Sequence, residues 1–247
     1  MKNEIKHLSK TCHYYVSTKD NYLPYQNSLA LHTNQNPQDI VSNRKSISLS
    51  SKPLEFIVAN QVHSNRVEII DKKLSKGWSE QSSAIQDCDG LITNQKGVVL
   101  TILTADCVPI LIYDKSKKII SALHAGWRGT KLEIVKEAIS KMIEEFGTNP
   151  KDISVFIAPS IRGCCYEVGD DVAREFEEYR EYCTPKENNK FMLDLSAINR
   201  VQLLDMGVES ENIRISTSCT ACESDRFFSY RKESGCEGRF MSMIWMD

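Results

Sequence analysis

The sequence lacks any apolar run that is long enough to cross a membrane. A membrane-spanning helix needs roughly 18 or more consecutive apolar residues, and no stretch of the chain approaches that length. The polar start, MKNEIKHLSKTCHYYVSTKD, also lacks the apolar segment of a secretory signal peptide. These two absences predict a soluble, cytoplasmic protein with no membrane partner.

An excess of charge of either sign is also missing. The chain carries 31 Lys and Arg against 33 Asp and Glu, which leaves a net charge of −2. Such a balance gives no general attraction to nucleic acid, although a local basic pocket is compatible with it. There is also no G-x-x-x-x-G-K-[ST] loop and no G-x-G-x-x-G loop, so nucleotide sites of those two types are not supported.

Neither an internal repeat nor a low-complexity linker divides the chain. With 247 residues, of which 41% are hydrophobic, the composition is that of an ordinary globular protein. We therefore predict a single domain over residues 1–247. A domain of this size buries enough surface to be stable without disulfides or metal.

Cysteine, by contrast, is plentiful, with nine residues. The odd number and the absence of an export signal predict free thiols. Cys219 and Cys222 form a C-x-x-C pair, and Cys164 and Cys165 are adjacent. These four could in principle form a four-thiolate zinc site. However, adjacent residues of an extended chain point to opposite sides, so we favour buried thiols that bind no metal.

Short β-rich runs are mixed with helical patterns, without strict alternation. The runs that predict strands are CHYYVST, LEFIVA, RVEII, VVLTILT, VPILIY, KIISALH, ISVFIA, IRIST and FMSMIW. Apolar periodicity predicts helices over residues 37–46, 130–146, 169–182 and 195–206. This mixture indicates an α+β fold, or an irregular α/β fold with mixed sheets between helices.

Two local patterns give more specific expectations. Thr130 and Glu133 stand at capping-box spacing, which predicts that the longest helix begins at Thr130, and Gly147 predicts its end. Near the C-terminal end, the segment FFSYRKESGCEGRF suggests a hairpin, with Tyr230 and Arg231 near the end of its first strand.

Three side chains that could bind a metal follow apolar strands. His63 and His124 each end a strand pattern, and Cys107 lies between two such patterns beside Asp106. Two imidazoles and a thiolate suit Zn²⁺, and three ligands leave a fourth position open for water. Two other interpretations remain: a set of buried structural side chains, or a nucleophilic Cys107 with His124 or His63 as its base.

Three arginines, Arg128, Arg162 and Arg231, stand in turn-like or glycine-flanked segments. Arginine is a natural partner for phosphate or carboxylate groups. A solvated surface side chain is nevertheless the commoner role of any single arginine. The pattern alone leaves both alternatives open.

Five motifs in order resemble one known family. They are QVHSNRV, DGLITNQKGVVLTILTADCVPILIYD, SALHAGWRGT, IAPSIRGCCYEVG and RFFSYRKESGCEGRFMSMIW. Together they resemble the polyphenol oxidase or laccase-domain family, also known as peptidoglycan editing factor and as purine nucleoside enzymes. The resemblance runs from about residue 28 to the C-terminal end.

The resemblance implies a fold and a metal site. The fold is a four-layer α/β/β/α arrangement of mixed sheets, shared with toxin-like cysteine hydrolases. The metal ligands fall on His63, Cys107 and His124, with zinc as the expected metal and copper as an alternative. Cys107 and His124 would then be catalytic residues as well as ligands. Asp106 beside Cys107 either acts with them, by orienting a ligand or moving a proton, or is an ordinary capping or surface aspartate.

The activities that the resemblance implies differ in their chemistry. The first is phosphorolysis of adenosine, inosine and methylthioadenosine together with hydrolytic deamination of adenosine, with purine nucleoside and phosphate as the small-molecule partners. Phosphorolysis requires an anion pocket, for which Arg128 and Arg231 are our candidates, since arginine binds phosphate or another polar substrate group. Tyr166 either lines that pocket or packs in the core as an ordinary tyrosine. The alternative is zinc-dependent removal of L-serine from peptidoglycan precursors.

Two further alternatives are weaker. Multicopper oxidation requires many histidines in paired H-x-H motifs, whereas the chain has five histidines and no such motif. A non-catalytic metal-binding or purine-binding module would be favoured if Cys88 or Asp89 filled the fourth metal position. An open position favours an enzyme.

Overall fold

The computed structural model describes residues 4–247. Most strands are short, and several are buried on both faces. In chain order they are β1 (Lys6–His7), β2 (Cys12–Val16), β3 (Glu55–Val58), β4 (Val67–Ile69), β5 (Gly90–Thr93), β6 (Val98–Thr104), β7 (Val108–Asp114), β8 (Ile119–Ala125), β9 (Ile153–Ile157), β10 (Glu167–Gly169), β11 (Cys183–Lys186), β12 (Lys190–Leu193), β13 (Ile213–Ile215) and β14 (Phe240–Met246).

The helices are fewer than the strands and unequal in length. They are α1 (Pro37–Lys45), α2 (Trp127–Lys131), α3 (Ile134–Phe146), α4 (Asp170–Ala173) and α5 (Leu195–Asp205). Helix α5 begins at the Asp194 cap, whose side chain accepts the backbone N–H of Ala197. Helix α3 ends at Gly147, which adopts a left-handed φ of 67°.

Two mixed sheets form the centre of the molecule. The first has the order β1-β2-β14-β6-β3, and the second has the order β13-β9-β7-β8-β5-β4. Most neighbours are antiparallel, whereas β3/β6, β4/β5 and β9/β13 are parallel. A smaller antiparallel sheet, β10-β12-β11, lies beside the helices of the second sheet and shares their apolar core.

The two large sheets pack face to face. Leu100 and Ile244 of the first sheet meet Leu111 and Ile120 of the second in a fully buried apolar layer. Helix α3 covers the outer face of the second sheet, and α1 with its neighbouring loops covers the outer face of the first. The result is the predicted four-layer α/β/β/α arrangement, in which β6, β7 and β8 are buried along their whole length.

The longest helix does not begin as the capping box predicts. Thr130 lies inside the short helix α2, and Glu133, with a left-handed φ of 57°, separates α2 from α3. The buried hydroxyl of Thr130 accepts a hydrogen bond from Asn199 Nδ2 at 2.9 Å. The capping interpretation is therefore wrong, because this hydroxyl is used in contact with α5.

Two other local predictions also need correction. The helix over 169–182 is α-helical only in α4, and residues 174–182 form 3-10 turns. Phe176, Tyr179 and Tyr182 recur every three residues, which suits the period of that conformation. The segment 227–239 forms turns and not a hairpin strand, with Phe227 and Phe228 buried against Phe240.

Across residues 4–247, no helix has the length and apolar character needed to cross a membrane.

Candidate metal centre and active-site pocket

Three predicted ligands meet at one end of the two sheets. His124 is the penultimate residue of β8, and Cys107 directly precedes β7. Because Val108 pairs with Ala125 and Pro109 with His124, the register of these antiparallel strands places Cys107 beside His124. His63 joins them from the loop after β3, and the ligand atoms of all three residues lie within 4.8 Å of one another.

The approach of these side chains depends on Gly126. An ideal Cβ at this position would stand 3.0 Å from Cys107 Sγ and 3.1 Å from His63 Cδ2. The glycine therefore leaves the space that the two ligands occupy.

The ring of His124 is oriented by a buried carboxylate. Nδ1 of His124 donates to Asp89 Oδ1 at 2.7 Å, and Asp89 is fully buried. This bond fixes the tautomer and leaves Nε2 as the nitrogen available to a metal. The backbone N–H of His124 also donates to the carbonyl of Asp89, at 2.7 Å.

The same carboxylate holds the loop that carries His63. Asp89 accepts the backbone N–H groups of His63 at 3.0 Å and of Ser64 at 2.7 Å, and also the Ser64 hydroxyl at 2.8 Å. His63 itself adopts a left-handed φ of 63°. Asp89 therefore positions both histidines at once.

The hydrogen bonds of Asp89 bear on whether a protein side chain fills the fourth metal position. Within the part of the chain that the structure describes, the metal-ligand group around His63 contains three side chains. The oxygens of Asp89 are used in hydrogen bonds, and Cys88 is buried in the apolar layer between the sheets. Neither Cys88 nor Asp89 belongs to the group, so the premise of the non-catalytic alternative is not met.

The electrostatics of the centre favour a thiolate. Burial by itself would raise the pKa of Cys107, but His124 and His63 outweigh it, so the pKa is lowered. Burial would lower the pKa of His124, but Cys107 and Asp89 outweigh it in turn, so that pKa is raised. Burial would also raise the pKa of Asp89, but its hydrogen bonds to His124 and Ser64 outweigh burial, so this pKa is lowered. A thiolate is the form of cysteine that binds metal.

The ligands open into a cavity of about 550 Å³, a volume typical of small-molecule sites. Its wall combines aromatic rings with an unusual number of cationic side chains. Besides the three ligands it is lined by His32, Gln61, Leu103, Thr104, Ala105, Asp106, Trp127, Arg128, Tyr166, Tyr230, Arg231 and Arg239. The predicted pocket residues Arg128, Arg231 and Tyr166 are thus brought together.

The three arginines of the pocket are held differently. Arg128 stacks on Trp127, with its guanidinium carbon 4.5 Å from the ring centroid, and donates to no protein acceptor within residues 4–247. The Arg231 guanidinium lies 5.1 Å from the Tyr166 ring centroid and donates to the carbonyl of Glu167. Arg239 donates to carbonyls of its own loop. Arg128 is therefore the arginine most available to an anion.

Asp106 lines the pocket, and protein donors contact both of its carboxylate oxygens. It accepts the Thr220 hydroxyl at 2.6 Å and the backbone N–H of Arg231 at 2.7 Å. These contacts make it an anchor for the segment that precedes β14. Its predicted role in proton transfer stays a prediction.

Sequence reasoning missed several pocket residues. His32, Gln61 and Arg239 line the cavity, but none of the three is among the predicted site residues, although Gln61 and Arg239 stand within the family motifs. Asp89 was considered only as a ligand and not as the group that orients the histidines. Arg162 lies elsewhere, because its guanidinium donates to the carbonyl of Ser216 at 2.5 Å and faces Asp194.

The four cysteines of the second candidate set also come together. The Sγ atoms of Cys164, Cys165, Cys219 and Cys222 all lie within 4.8 Å of one another. Cys164 and Cys222 are exposed. The favoured expectation of buried thiols is therefore wrong for these two, and adjacent cysteines do not point apart here because residues 163–165 form a turn.

Comparison with known proteins identifies relatives over almost the entire chain. Residues 7–247 match the family described as multi-copper polyphenol oxidoreductase laccase. The chain is 37% identical to purine nucleoside phosphorylase YlmD of Bacillus subtilis over 223 residues, covering 87% of this chain and 80% of that protein. It is 35% identical to adenosine deaminase RL5, from an unknown prokaryotic organism, over 201 residues, covering 77% and 75% of the two chains.

A solved structure shows the same fold. The crystal structure of YlmD from Geobacillus stearothermophilus superposes with a TM-score of 0.93 and 29% sequence identity, covering 100% of this chain and 97% of that one.

Proposed function

Because the chain belongs to the multi-copper polyphenol oxidoreductase laccase family, whose relatives include purine nucleoside phosphorylases and an adenosine deaminase, we propose that it is a purine nucleoside enzyme of the same kind. It cleaves adenosine, inosine and methylthioadenosine with phosphate, and it deaminates adenosine by hydrolysis. The observation that carries the proposal is a group of three side chains that can hold a metal, opening into a cavity lined by Arg128, Arg231 and Arg239.

The residues of the centre fit a zinc ion. His63, Cys107 and His124 would hold it, since two imidazoles and one thiolate within 4.8 Å match the donors that zinc prefers, and Asp89 fixes the orientation of His124. A metal held there supplies Lewis-acid polarisation of a substrate atom or of water. Copper binds the same donor types, so metal analysis of the purified protein decides between the two ions.

The remaining residues bind and orient the substrate. Arg128 offers a free guanidinium that can form two parallel hydrogen bonds to a phosphate, and Arg231 adds positive charge to the same cavity. The rings of Tyr166 and Tyr230 give the same cavity flat surfaces against which a purine can stack. Phosphate bound by Arg128 would be held close to C1′ of the ribose, so that its oxygen can displace the base.

Product analysis tests this function. We expect metal-analysed protein to convert adenosine to inosine without phosphate, and to form free base and ribose 1-phosphate when phosphate is present. Chromatography with mass detection separates these products. Unchanged adenosine under both conditions, with the metal site fully loaded, would contradict the proposal.

Replacing Arg128 by alanine should weaken phosphorolysis more than deamination. A hydrogen bond to a charged group contributes about 1.5–3 kcal/mol, so we expect the KM for phosphate to rise about 10–100-fold. Adenosine deamination should change much less, because it uses no phosphate. The two rates of the variant are compared in the same preparation.

Arg174→Ala is the matched control for that change, since Arg174 is an exposed arginine outside the cavity. It should leave both rates unchanged. An equal loss of phosphorolysis and deamination in Arg128→Ala would refute the phosphate-binding role.

A further inference from the structure

We propose that Cys164, Cys165, Cys219 and Cys222 bind a second metal ion, a structural Zn²⁺ in a four-thiolate site. The distances between sulfur atoms are 3.7 Å for Cys164–Cys165, 3.8 Å for Cys164–Cys222 and 3.3 Å for Cys165–Cys222. Tetrahedral zinc with Zn–S bonds of about 2.3 Å requires sulfur atoms about 3.8 Å apart. Two of these distances match the tetrahedral value and the third is shorter, while Cys219 Sγ lies within 4.8 Å of the other three sulfur atoms.

Two turns bring the ligands together from distant parts of the chain. In the first turn, the backbone N–H groups of Cys165 and Tyr166 both donate to the carbonyl of Arg162 at 2.9 Å, which places adjacent thiols side by side. In the second, the N–H of Glu223 donates to the carbonyl of Cys219 at 2.9 Å across the C-x-x-C pair.

The two turns also contact each other through sulfur. The backbone N–H of Arg162 donates to Cys219 Sγ at 3.4 Å. An N–H group directed at a cysteine sulfur stabilises the negative charge that a metal-bound thiolate carries.

The segment that carries Cys219 and Cys222 is held by individual contacts and not by regular secondary structure; the N–H of Thr220, for example, donates to the carbonyl of Ser160 at 3.1 Å. Residues 216–239, between β13 and β14, form neither helix nor strand over their whole described length. Irregular segments of this length are uncommon in compact domains unless they have a function. The apolar cluster at the site has only Ile161, Cys219 and Ala221 fully in its interior. A bound metal would supply the cross-link that this small cluster does not.

A disulfide explains the arrangement less well. The closest pair, Cys165 and Cys222, would have to approach from 3.3 Å to about 2.05 Å, and the other two thiols would gain no partner from that bond. A four-thiolate metal site uses all four sulfur atoms, whereas a single disulfide uses only two of them.

The second site lies behind one wall of the pocket. Cys165 precedes Tyr166, which lines the cavity, and Cys219 precedes Thr220, whose hydroxyl donates to Asp106 at 2.6 Å. A metal at the four cysteines would thus hold Tyr166 and Asp106 in place while sharing no ligand with the first centre.

Metal content separates the two sites without any assay of turnover. The wild-type protein, purified anaerobically and dialysed after zinc loading, should retain two zinc ions per chain. His63→Ala should lose the first ion and keep the second. The double variant Cys164→Ser/Cys222→Ser, which changes the two exposed ligands, should lose the second ion and keep the first. Cys236→Ser should keep both, since Cys236 lies outside both groups.

Spectroscopy identifies the ligands of the second ion. Cobalt-loaded His63→Ala should show the strong sulfur-to-metal charge-transfer absorption of four thiolates, and X-ray absorption of its zinc form should give four sulfur atoms at about 2.3 Å. The double variant Cys164→Ser/Cys222→Ser should lose both signals at this site. A protease should also cut its 216–239 segment faster than that of the wild-type protein.

Two outcomes would overturn the proposal. One is a Cys165–Cys222 disulfide, found by mass spectrometry in protein that was kept anaerobic. The other is the absence of thiolate-bound metal from His63→Ala in the presence of excess zinc. Neither outcome depends on nucleoside turnover, so the proposed function and the second site can fail separately.

Discussion

The His63→Ala variant is expected to lose its first-site metal and its nucleoside turnover together, while its fold remains intact. His63 is an exposed residue at the edge of the centre, so the change removes a ligand and leaves the core untouched. Losing a group that only orients a ligand costs about 10–100-fold in metal affinity, so losing a ligand should cost more than about 100-fold. Metal analysis after dialysis and product analysis with adenosine measure the two effects.

His124→Ala should lose the same metal but also unfold more easily. His124 is buried, and its removal leaves the carboxylate of Asp89 without its partner in the interior. Breaking a buried pair in this way costs about 3–5 kcal/mol. Denaturant unfolding of both variants in chelator removes the contribution of bound metal from the comparison.

His7→Ala provides the control, because His7 is exposed on β1 and lies outside the cavity. It should match the wild type in metal content and turnover. Full first-site stoichiometry in His63→Ala would show that the ligand assignment is wrong.

The second large effect is expected from Asp89→Asn. The amide keeps the size of the side chain but removes the negative charge that binds the imidazole of His124. It also replaces one carboxylate oxygen by an NH₂ group, which cannot accept a hydrogen bond from the N–H groups that Asp89 now binds. We expect first-site metal affinity to fall about 10–100-fold. Stability should fall by about 3 kcal/mol, measured by denaturant unfolding in chelator.

Asp87→Asn is closely matched to that change. Asp87 is two residues earlier in the same loop, is exposed, and has a left-handed φ of 52° that asparagine tolerates. This control should retain both metal affinity and stability. If Asp89→Asn bound metal as tightly as Asp87→Asn does, Asp89 would not be the residue that positions the histidines.

Local sequence patterns predicted the features that depend on neighbouring residues. The buried strands β6, β7 and β8 follow from their apolar runs, and the positions of Cys107 and His124 follow from where those runs end. The pairing of the layers, and the assignment of His63, Cys107 and His124 to one shared site, rest on the family resemblance. Neither can be obtained from the spacing of three residues spread over a long stretch of chain.

The contacts that were missed depend on partners far away in the sequence. Asp89 looks like an ordinary loop residue until β8 and the His63 loop fold around it. Thr130 matched a helix cap, but Asn199 of α5 takes its hydroxyl. The four cysteines met because of turns at Arg162 and Cys219, and an extended chain would have separated the adjacent pair.

The order of strands in the first sheet also has a consequence for how the protein is made on the ribosome. Strand β14 lies between β2 and β6 and hydrogen-bonds to both. Until residues 240–246 have been synthesised, β2 and β6 cannot form the hydrogen bonds that they make with β14. The three candidate metal ligands all precede β14 in the chain, so they are synthesised while the pocket is still incomplete. Unpaired edges of this kind attract other chains, which makes the time before β14 inserts the period of greatest risk for aggregation.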